Sequence, residues 1–380
     1  MRNIYRKWNT AFLVLICAVL AGVASLNYFV DPFGYFSFQS GDYEKIDFPV
    51  DTTYFQRELK AQHVLRFGEE YDAFLLGGSK AGSYRTEKLQ ELDGYCYYNM
   101  YELGGSFYEY ELETAFLIEH ASPKKIILNI SGGEVRFLKR NQKDMTNRIP
   151  AVMTGESVFL ETLDFLFKDV SEAFDRLWER MSDKPYYELT SGGNRNLEKY
   201  YERVEEDWEK FTQKYVLEAF DKHMKTLFAN NRNVDYYDES IESIRNIKKM
   251  CDENGVELLV IVAPSFIGEM SEHDSEGYRE FLNRIAWITD YWDFSGYHEI
   301  DLNPYNFYNE GHFYYEVADL MIDTMKGTDS YPGFGVFVTK ENAAAHIAGR
   351  EADYKRLQQE YLETGTIQLQ GQEDESCLLK

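Results

Sequence analysis

The chain has 380 residues, of which 44% are hydrophobic, and this apolar content is enough for a large core and one or two domains. Lys and Arg number 40 against 65 Asp and Glu, which gives a formal net charge of -25. A chain this acidic repels polyphosphate backbones, which argues against nucleic-acid binding, whereas it tolerates a cationic partner or an amine-bearing substrate.

The N-terminal segment is predicted to be a membrane anchor. Residues 1–10, a short cytoplasmic tail, carry only basic charges, and residues 11–30 carry no charge. Twenty apolar residues can cross a bilayer core, and the basic flank predicts that residue 31 onward lies outside. A cleaved signal peptide is the alternative, but the apolar run continues to Val30 and favours an uncleaved anchor.

Residues 31–70 form a polar lead-in with one predicted helix, from Thr53 to Arg66. An α/β pattern then begins, in which apolar runs of strand length alternate with helical segments. The predicted strands are Ala73 to Leu76, Tyr95 to Met100 and Ile126 to Ile130, and the helices run from Arg85 to Leu92 and from Phe107 to Glu119. This alternation over residues 71–136 is typical of βαβ units in a parallel sheet.

Residues 137–234 interrupt the pattern with two apolar stripes at helical spacing. The first stripe is Phe159, Leu163, Leu166, Val170, Ala173 and Leu177, and the second is Leu197, Tyr201, Val204, Trp208, Phe211 and Tyr215. We interpret the segment as a helical hairpin inserted into the α/β domain. Its stripes suit core packing, a cap over a crevice or a docking surface equally well, because a stripe does not name its partner.

The α/β pattern returns over residues 235–326, with a predicted strand from Leu258 to Ala263 and a last helix that ends at Met325. Residues 327–380 are a C-terminal extension, and its polar, Gln-rich end predicts disorder. The four cysteines show no metal-ligand spacing. Cys96 and Cys251 form the one internal disulfide worth testing, although unpaired thiols are the favoured interpretation.

Ser79 directly follows the first predicted strand and the pair Gly77-Gly78. A strand, a glycine turn, a serine and a helix place a hydroxyl at the carboxyl edge of a parallel sheet, where α/β folds have their ligand crevice. The N–H groups of the following helix would suit an oxyanion at that point. The simpler interpretation is a βα turn that needs glycine and a serine N-cap.

His312 lies in a glycine-containing loop just before the last core helix. A serine nucleophile needs a base that takes its proton, and the base needs an acceptor that holds its tautomer. The residue three positions before His312, where an Asp often lies, is Asn309. Other candidates for this orienting role are Glu310, Asp301 and Asp293.

The motifs Gly77-Gly78-Ser79, Gly104-Gly105 and Asn309-Glu310-Gly311-His312, in this order, resemble the SGNH (GDSL-like) hydrolase superfamily. The single anchor followed by Asp31-Pro32-Phe33-Gly34 is most similar to its membrane-anchored branch, the DltD and AlgJ/AlgX-like cell-envelope acyltransferases. The resemblance covers residues 12–326 apart from the insertion. It implies an α/β fold with a flavodoxin-like parallel sheet and flanking helices.

The same resemblance implies Ser79 as nucleophile, His312 as base, Asn309 in place of the family's Asp, and an oxyanion site at Gly78, Gly104 and Gly105. It implies an extracellular acyltransferase that modifies a teichoic acid or exopolysaccharide, with a membrane acyltransferase of the MBOAT class as candidate partner and no metal or cofactor. An Asp-to-Asn change in a serine-protease triad costs about ten-thousand-fold in rate through the wrong tautomer. A catalytically impaired scaffold or binding protein of the envelope machinery and a simple serine esterase are therefore the alternatives.

Overall fold

The computed structural model describes residues 2–33, 35–36, 56–139, 141–142, 147–179, 181, 189–190, 192–224, 235–328 and 331–379. The chain divides into two compact units. The N-terminal unit comprises residues 1–63 and 143–188, and the sheet unit comprises residues 64–142 and 189–380.

The helices, in chain order, are α1 (Arg2–Val30), α2 (Gln56–Phe67), α3 (Thr86–Leu89), α4 (Phe107–His120), α5 (Ala151–Thr154), α6 (Val158–Leu166), α7 (Val170–Glu179), α8 (Glu198–Thr212), α9 (Glu218–His223), α10 (Tyr237–Asn254), α11 (Ile267–His273), α12 (Glu276–Ile285), α13 (Tyr315–Lys326) and α14 (Ala343–Thr364). The strands are β1 (Ala73–Gly77), β2 (Tyr97–Asn99), β3 (Lys125–Ile130), β4 (Glu257–Val262), β5 (Tyr291–Asp293), β6 (Phe307–Asn309), β7 (His312–Phe313) and β8 (Val336–Val338). The predicted helix that begins at Thr53 is α2, and Thr53 itself lies outside the described residues, as do residues 37–55 of the lead-in.

The N-terminal unit is built on α1. Its run Ile4–Val30 has a mean hydropathy of 2.3, and by length and composition it can cross a membrane. Helices α6 and α7 pack against α1. The side-chain amide of Asn27 joins them, because its Nδ2 donates to the carbonyl oxygens of Leu166 at 3.0 Å and Lys168 at 2.9 Å.

The sheet unit contains a six-stranded sheet in the order β2-β1-β3-β4-β5-β8. The first five strands are parallel, and β8 pairs antiparallel with β5. Strands β1 and β3 are buried along their whole length, as expected for parallel strands that are covered on both faces. The predicted α/β class with a mostly parallel sheet is confirmed. The strand order 2-1-3-4-5 is that of flavodoxin-like folds, in which the order of strand addition reverses between the parallel strands β1 and β3.

The segment after Ser79 differs from the sequence prediction. Instead of a helix from Arg85 to Leu92, the structure has a short 3-10 turn, Ser79–Ser83, and the single-turn helix α3. The two are separated because Tyr84 has an extended backbone, is fully buried and donates its hydroxyl to Asn129 Oδ1 at 2.9 Å. The helix whose N–H groups we expected at Ser79 is therefore a single turn that begins at Thr86, seven residues further along the chain.

The predicted helical hairpin falls into both units, because the chain passes from the N-terminal unit to the sheet unit at residue 189. The first stripe is divided between α6 and α7, and Ala173 alone among its six residues is buried. The second stripe lies on α8 and the turn that follows it. It packs as a core face, with Leu197, Val204 and Phe211 against Tyr308 and Tyr314.

The predicted disorder of residues 364–380 is wrong for the tail that the structure describes. Ile367 and Cys377 are buried in the sheet unit. The side-chain amides of Asn303 and Asn306 donate to Ser376, to its hydroxyl at 2.9 Å and to its carbonyl at 2.8 Å. Polar composition suggested a solvated tail, but these hydrogen bonds satisfy its polar groups in the interior.

All four cysteines are free thiols, so the Cys96–Cys251 disulfide is not formed.

Candidate active site

Ser79 lies at the carboxyl edge of the sheet, directly after β1. The chain leaves the strand at Gly77, whose φ of +155° is unfavourable for residues with a side chain. A Cβ at this position would lie 2.5 Å from the carbonyl oxygen of Asn129 on the neighbouring strand β3. Glycine is therefore required for the turn that presents Ser79 beside β3, where the strand order reverses and α/β folds bind ligands.

His312 and Asn309 face each other across a hairpin. Strands β6 and β7 pair antiparallel, with Asn309 opposite His312 and the two residues Glu310-Gly311 between them. A two-residue turn places the residues on either side of it next to each other, which explains why a spacing of three brings these side chains into contact. The hydroxyl of Ser83 donates to the carbonyl of Phe313 at 2.7 Å and so ties the hairpin to the turn that carries Ser79.

The three predicted side chains form a continuous line of contacts. His312 Nε2 lies 2.6 Å from Ser79 Oγ, and His312 Nδ1 lies 2.7 Å from Asn309 Oδ1. These distances are within the range of hydrogen bonds between a nucleophile, a base and an orienting group. The expectation from the sequence that Ser79 and His312 meet in one crevice agrees with this geometry.

A backbone group fixes the orientation of the Asn309 amide. The N–H of Gly311 donates to Asn309 Oδ1 at 3.0 Å. Because a backbone N–H can only donate, the atom that it meets is the amide oxygen, and the same oxygen faces His312 Nδ1. Nδ1 therefore carries the ring proton, and Nε2 presents its lone pair to the Ser79 hydroxyl. This is the tautomer that a general base needs.

The other proposed orienting residues lie elsewhere. Asp293 accepts from His346 Nε2 at 2.8 Å and from the hydroxyl of Ser295 at 2.6 Å. Asp301 is fully buried and accepts from the backbone N–H of His298. Glu310 is part of the hairpin turn itself. Both ring nitrogens of His312 are engaged by Ser79 and Asn309, so Asn309 holds the orienting position.

The surroundings of His312 disfavour its protonated form. Burial is the largest cause, and the nearby cations Arg195 and Lys80 act in the same direction, so that the pKa of His312 falls from 6.5 to about 3. Glu269 partly opposes them. The imidazole is therefore neutral, and able to accept a proton, over the whole physiological pH range.

A charged group that sequence reasoning missed lies beside this line of contacts. The buried ammonium of Lys80 lies 2.5 Å from Ser265 Oγ and 3.2 Å from Glu269 Oε2. Glu269 Oε1 in turn lies 3.5 Å from His273 Nε2. Burial alone would raise the pKa of Glu269, but Lys80 and His273 reverse this and hold it below its usual value. The signals in the sequence were slight: Lys80 follows Ser79, and Glu269 and His273 are four residues apart on one helix.

A cavity of about 170 Å³ opens in front of Ser79, lined by Gly78, Ser79, Lys80, Gly104, Gly105, Ser131, Gly133, Glu134, Arg136, Phe137, Glu269, His273 and His312. All three glycines proposed for an oxyanion site are among these residues.

Glu134 is a second charged group that the sequence analysis did not identify. It accepts from the backbone N–H of Ser131 at 2.9 Å and from its hydroxyl at 2.7 Å. Burial raises the pKa of Glu134, although the Ser131 hydrogen bond opposes it.

The arrangement can perform nucleophilic acyl transfer. Known catalytic triads include this combination of a nucleophile, an imidazole base and an orienting amide oxygen, since papain-like proteases also use an Asn as the third group.

In the part of the chain that the structure describes, no group of three or more His, Cys, Asp or Glu side chains is placed to hold a metal ion. No protein-family model matches the chain, and no curated protein sequence matches it.

Proposed function

We propose that this chain is a membrane-anchored serine acyltransferase of the SGNH (GDSL-like) type, which acts outside the cytoplasm on a cell-envelope polymer. The observation that carries the proposal is the contact line Ser79–His312–Asn309, in which Gly311 fixes the amide oxygen toward the imidazole. The position of Ser79 at the edge between β1 and β3 supports it, because ligands of such folds bind there.

The reaction begins when Ser79 Oγ attacks the carbonyl carbon of an acyl donor and passes its proton to His312 Nε2. Backbone N–H groups at Ser79 and at Gly104 or Gly105 donate hydrogen bonds to the carbonyl oxygen and stabilise the negative charge that develops on it. The leaving group takes the proton from Nε2, and an acyl ester of Ser79 remains. A polymer hydroxyl then gives its proton to Nε2 and attacks the ester carbonyl carbon. As the bond to Ser79 Oγ breaks, Nε2 returns the proton to Oγ, and the acyl group stays on the polymer.

The proposed cellular setting rests on α1. Its basic flank favours a cytoplasmic N-terminus. In that orientation the sheet unit lies outside, where teichoic acids and exopolysaccharides are the polymers that the family resemblance suggests. A membrane acyltransferase of the MBOAT class would supply the acyl group. Orientation can be measured on the native protein, because Cys96 is an exposed thiol. Cys96 should react with an impermeant maleimide in intact cells, and labelling that needs lysis would contradict the orientation.

A scaffold without catalysis is the second candidate. Asn309 carries no charge that stabilises a protonated His312, and the low pKa of His312 makes it a weak base. A simple esterase, in which water replaces the polymer hydroxyl, is a third.

Active-site labelling separates enzyme from scaffold. We expect a fluorophosphonate to label the wild-type protein slowly at Ser79, as located by peptide mass spectrometry. Ser79→Ala should not label, and Ser171→Ala, at an exposed serine of α7, should label like wild type. Absence of label in a folded wild-type protein would favour the scaffold. With an activated ester as donor, an acylated polyglycerol phosphate product distinguishes a transferase from an esterase, which releases free acid.

A further inference from the structure

Helices α6 and α7 have an unusual distribution of polar and apolar residues. In a water-soluble domain the apolar face of a helix points inward. On α6 this rule holds only in part: Phe165 is buried, but so is Glu161, which is only 4% exposed, whereas Phe159 and Leu160 are 68% and 64% exposed. Glu161 accepts from the backbone N–H of Ala151 at 3.0 Å, so its buried carboxylate has a hydrogen-bond partner within the N-terminal unit.

Helix α7 continues the exposed apolar surface. Its inward side is formed by Ala173 and Arg176, which are buried. Phe174 and Trp178, four residues apart and therefore on one face, are 59% and 75% exposed. Exposed aromatic side chains in this number, on two consecutive helices, indicate a surface that is covered by something other than water.

The position of this surface along α1 identifies what covers it. A hydrocarbon core about 30 Å thick takes about 20 helical residues, so a span that begins after Lys7 ends near Asn27. Asn27 is the residue that hydrogen-bonds to the connection between α6 and α7. Residues 4–22 of α1 are exposed, and burial within the unit begins toward its end. The two helices therefore pack against α1 at the level where the membrane–water interface on the extracytoplasmic side, here called the outer interface, is expected.

We propose that α6 and α7 form a second membrane-contacting element, which lies in the plane of the outer interface with Phe159, Leu160, Phe174 and Trp178 in the lipid. Trp and Phe are suited to the boundary between headgroups and acyl chains. The polar side of α7 carries the exposed acidic residues Glu172 and Asp175, so contact depends on apolar burial rather than on attraction to anionic lipids. This inference rests on the proposed membrane anchor, because α1 sets the depth.

The test measures lipid contact residue by residue in the full chain. Exposed native thiols are removed by Cys17→Ala and Cys96→Ala, whereas Cys251 and Cys377 are buried and stay. Single cysteines replace Phe159, Trp178 and, as a matched control on the polar side of α7, Glu172. A further cysteine at Val14 reports on the anchor. Each is labelled with bimane and reconstituted in phosphatidylcholine nanodiscs, and circular dichroism checks the fold.

We expect acyl-brominated phosphatidylcholine to quench the probes at positions 159 and 178 as it quenches position 14, and aqueous iodide to quench only position 172. Quenching of positions 159 and 178 by iodide, with position 14 still quenched by lipid, would refute the surface and leave the anchor intact. Shielding from both quenchers would mean that protein covers the surface, and discs with one copy would show whether a second chain does so. Loss of lipid quenching at position 14 would overturn anchor and surface together.

Discussion

Replacing Asn309 with Asp should make Ser79 more reactive and should also change the pH at which activity is lost. In the wild-type protein the pKa of His312 falls from 6.5 to about 3, so protonating His312 costs about 5 kcal/mol more than protonating an ordinary imidazole, at about 1.4 kcal/mol per pKa unit. A carboxylate at position 309 would place a negative charge where the amide oxygen now lies, 2.7 Å from Nδ1. Because Gly311 already fixes the tautomer, the gain comes from charge alone.

The size of the gain follows from Coulomb's law. Charge centres about 4 Å apart attract by about 4 kcal/mol at an effective dielectric constant of about 20, which corresponds to about a thousandfold in rate. The proton is only partly transferred to Nε2 in the transition state, so the rate gains only part of this attraction, and we expect an increase of about 10- to 100-fold in kcat/KM. The same attraction raises the pKa of His312 by up to about three units, toward 6.

The assay is the pH profile of kcat/KM with a small activated ester. Nε2 must be unprotonated to accept the proton of Ser79, so the wild-type acid limb should lie near pH 3 and the activity should be flat from pH 5 to 8. The Asn309→Asp profile should fall below about pH 6, so its advantage should shrink at pH 5. Asn342→Asp, at a helix cap remote from Ser79, is the matched control. An Asn309→Asp variant with unchanged rate and unchanged acid limb would refute the role assigned to Asn309.

Three other perturbations test particular contacts. In the Asn309→Asp background, Glu269→Gln should lower the acid limb, because Glu269 raises the pKa of His312; an unmoved limb would show that the two charges are not coupled. Arg350 forms buried ion pairs with Asp274 at 3.1 Å and Asp293 at 3.6 Å, so Arg350→Ala should cost about 3–5 kcal/mol of unfolding free energy in denaturant titrations. Burial is the largest cause, and Glu161 the second, of the rise in the pKa of Glu58 from 4.5 to about 8. Between these two pH values Glu58 holds a proton in the folded protein but has released it in the unfolded chain, so the free energy of unfolding falls as pH rises from about 4.5 through 8. Glu58→Gln should remove this loss in thermal melts in detergent, and equal pH dependence in both proteins would contradict it.

The sequence located most of the sheet because its strands have a simple pattern. Strands β1 and β3 are buried on both faces, so they appear as uninterrupted apolar runs between turn residues. Ser79 could be selected for the same reason, since the glycine pair marks where β1 ends. The spacing of Asn309 and His312 was equally local, because a two-residue hairpin turn brings them together without help from the rest of the fold.

Other features could not be read from local pattern. The sequence left the orientation of the Asn309 amide open, and the backbone N–H of Gly311 decided it. Lys80, Glu269 and His273 were missed because they meet only when β1 and the segment after β4 are neighbours in space. The C-terminal tail has a disordered composition, yet side chains more than sixty residues earlier hold it in place.

The sequence by itself determined the apolar span of α1, the parallel strands and the serine after β1, because each depends on neighbours in the chain. It also showed that Phe159 and Leu177 belong to apolar stripes. Only the tertiary structure decided that these residues face outward while Glu161 faces inward. Helical periodicity fixes which side chains share a face, but it contains no information on whether protein, water or lipid covers that face.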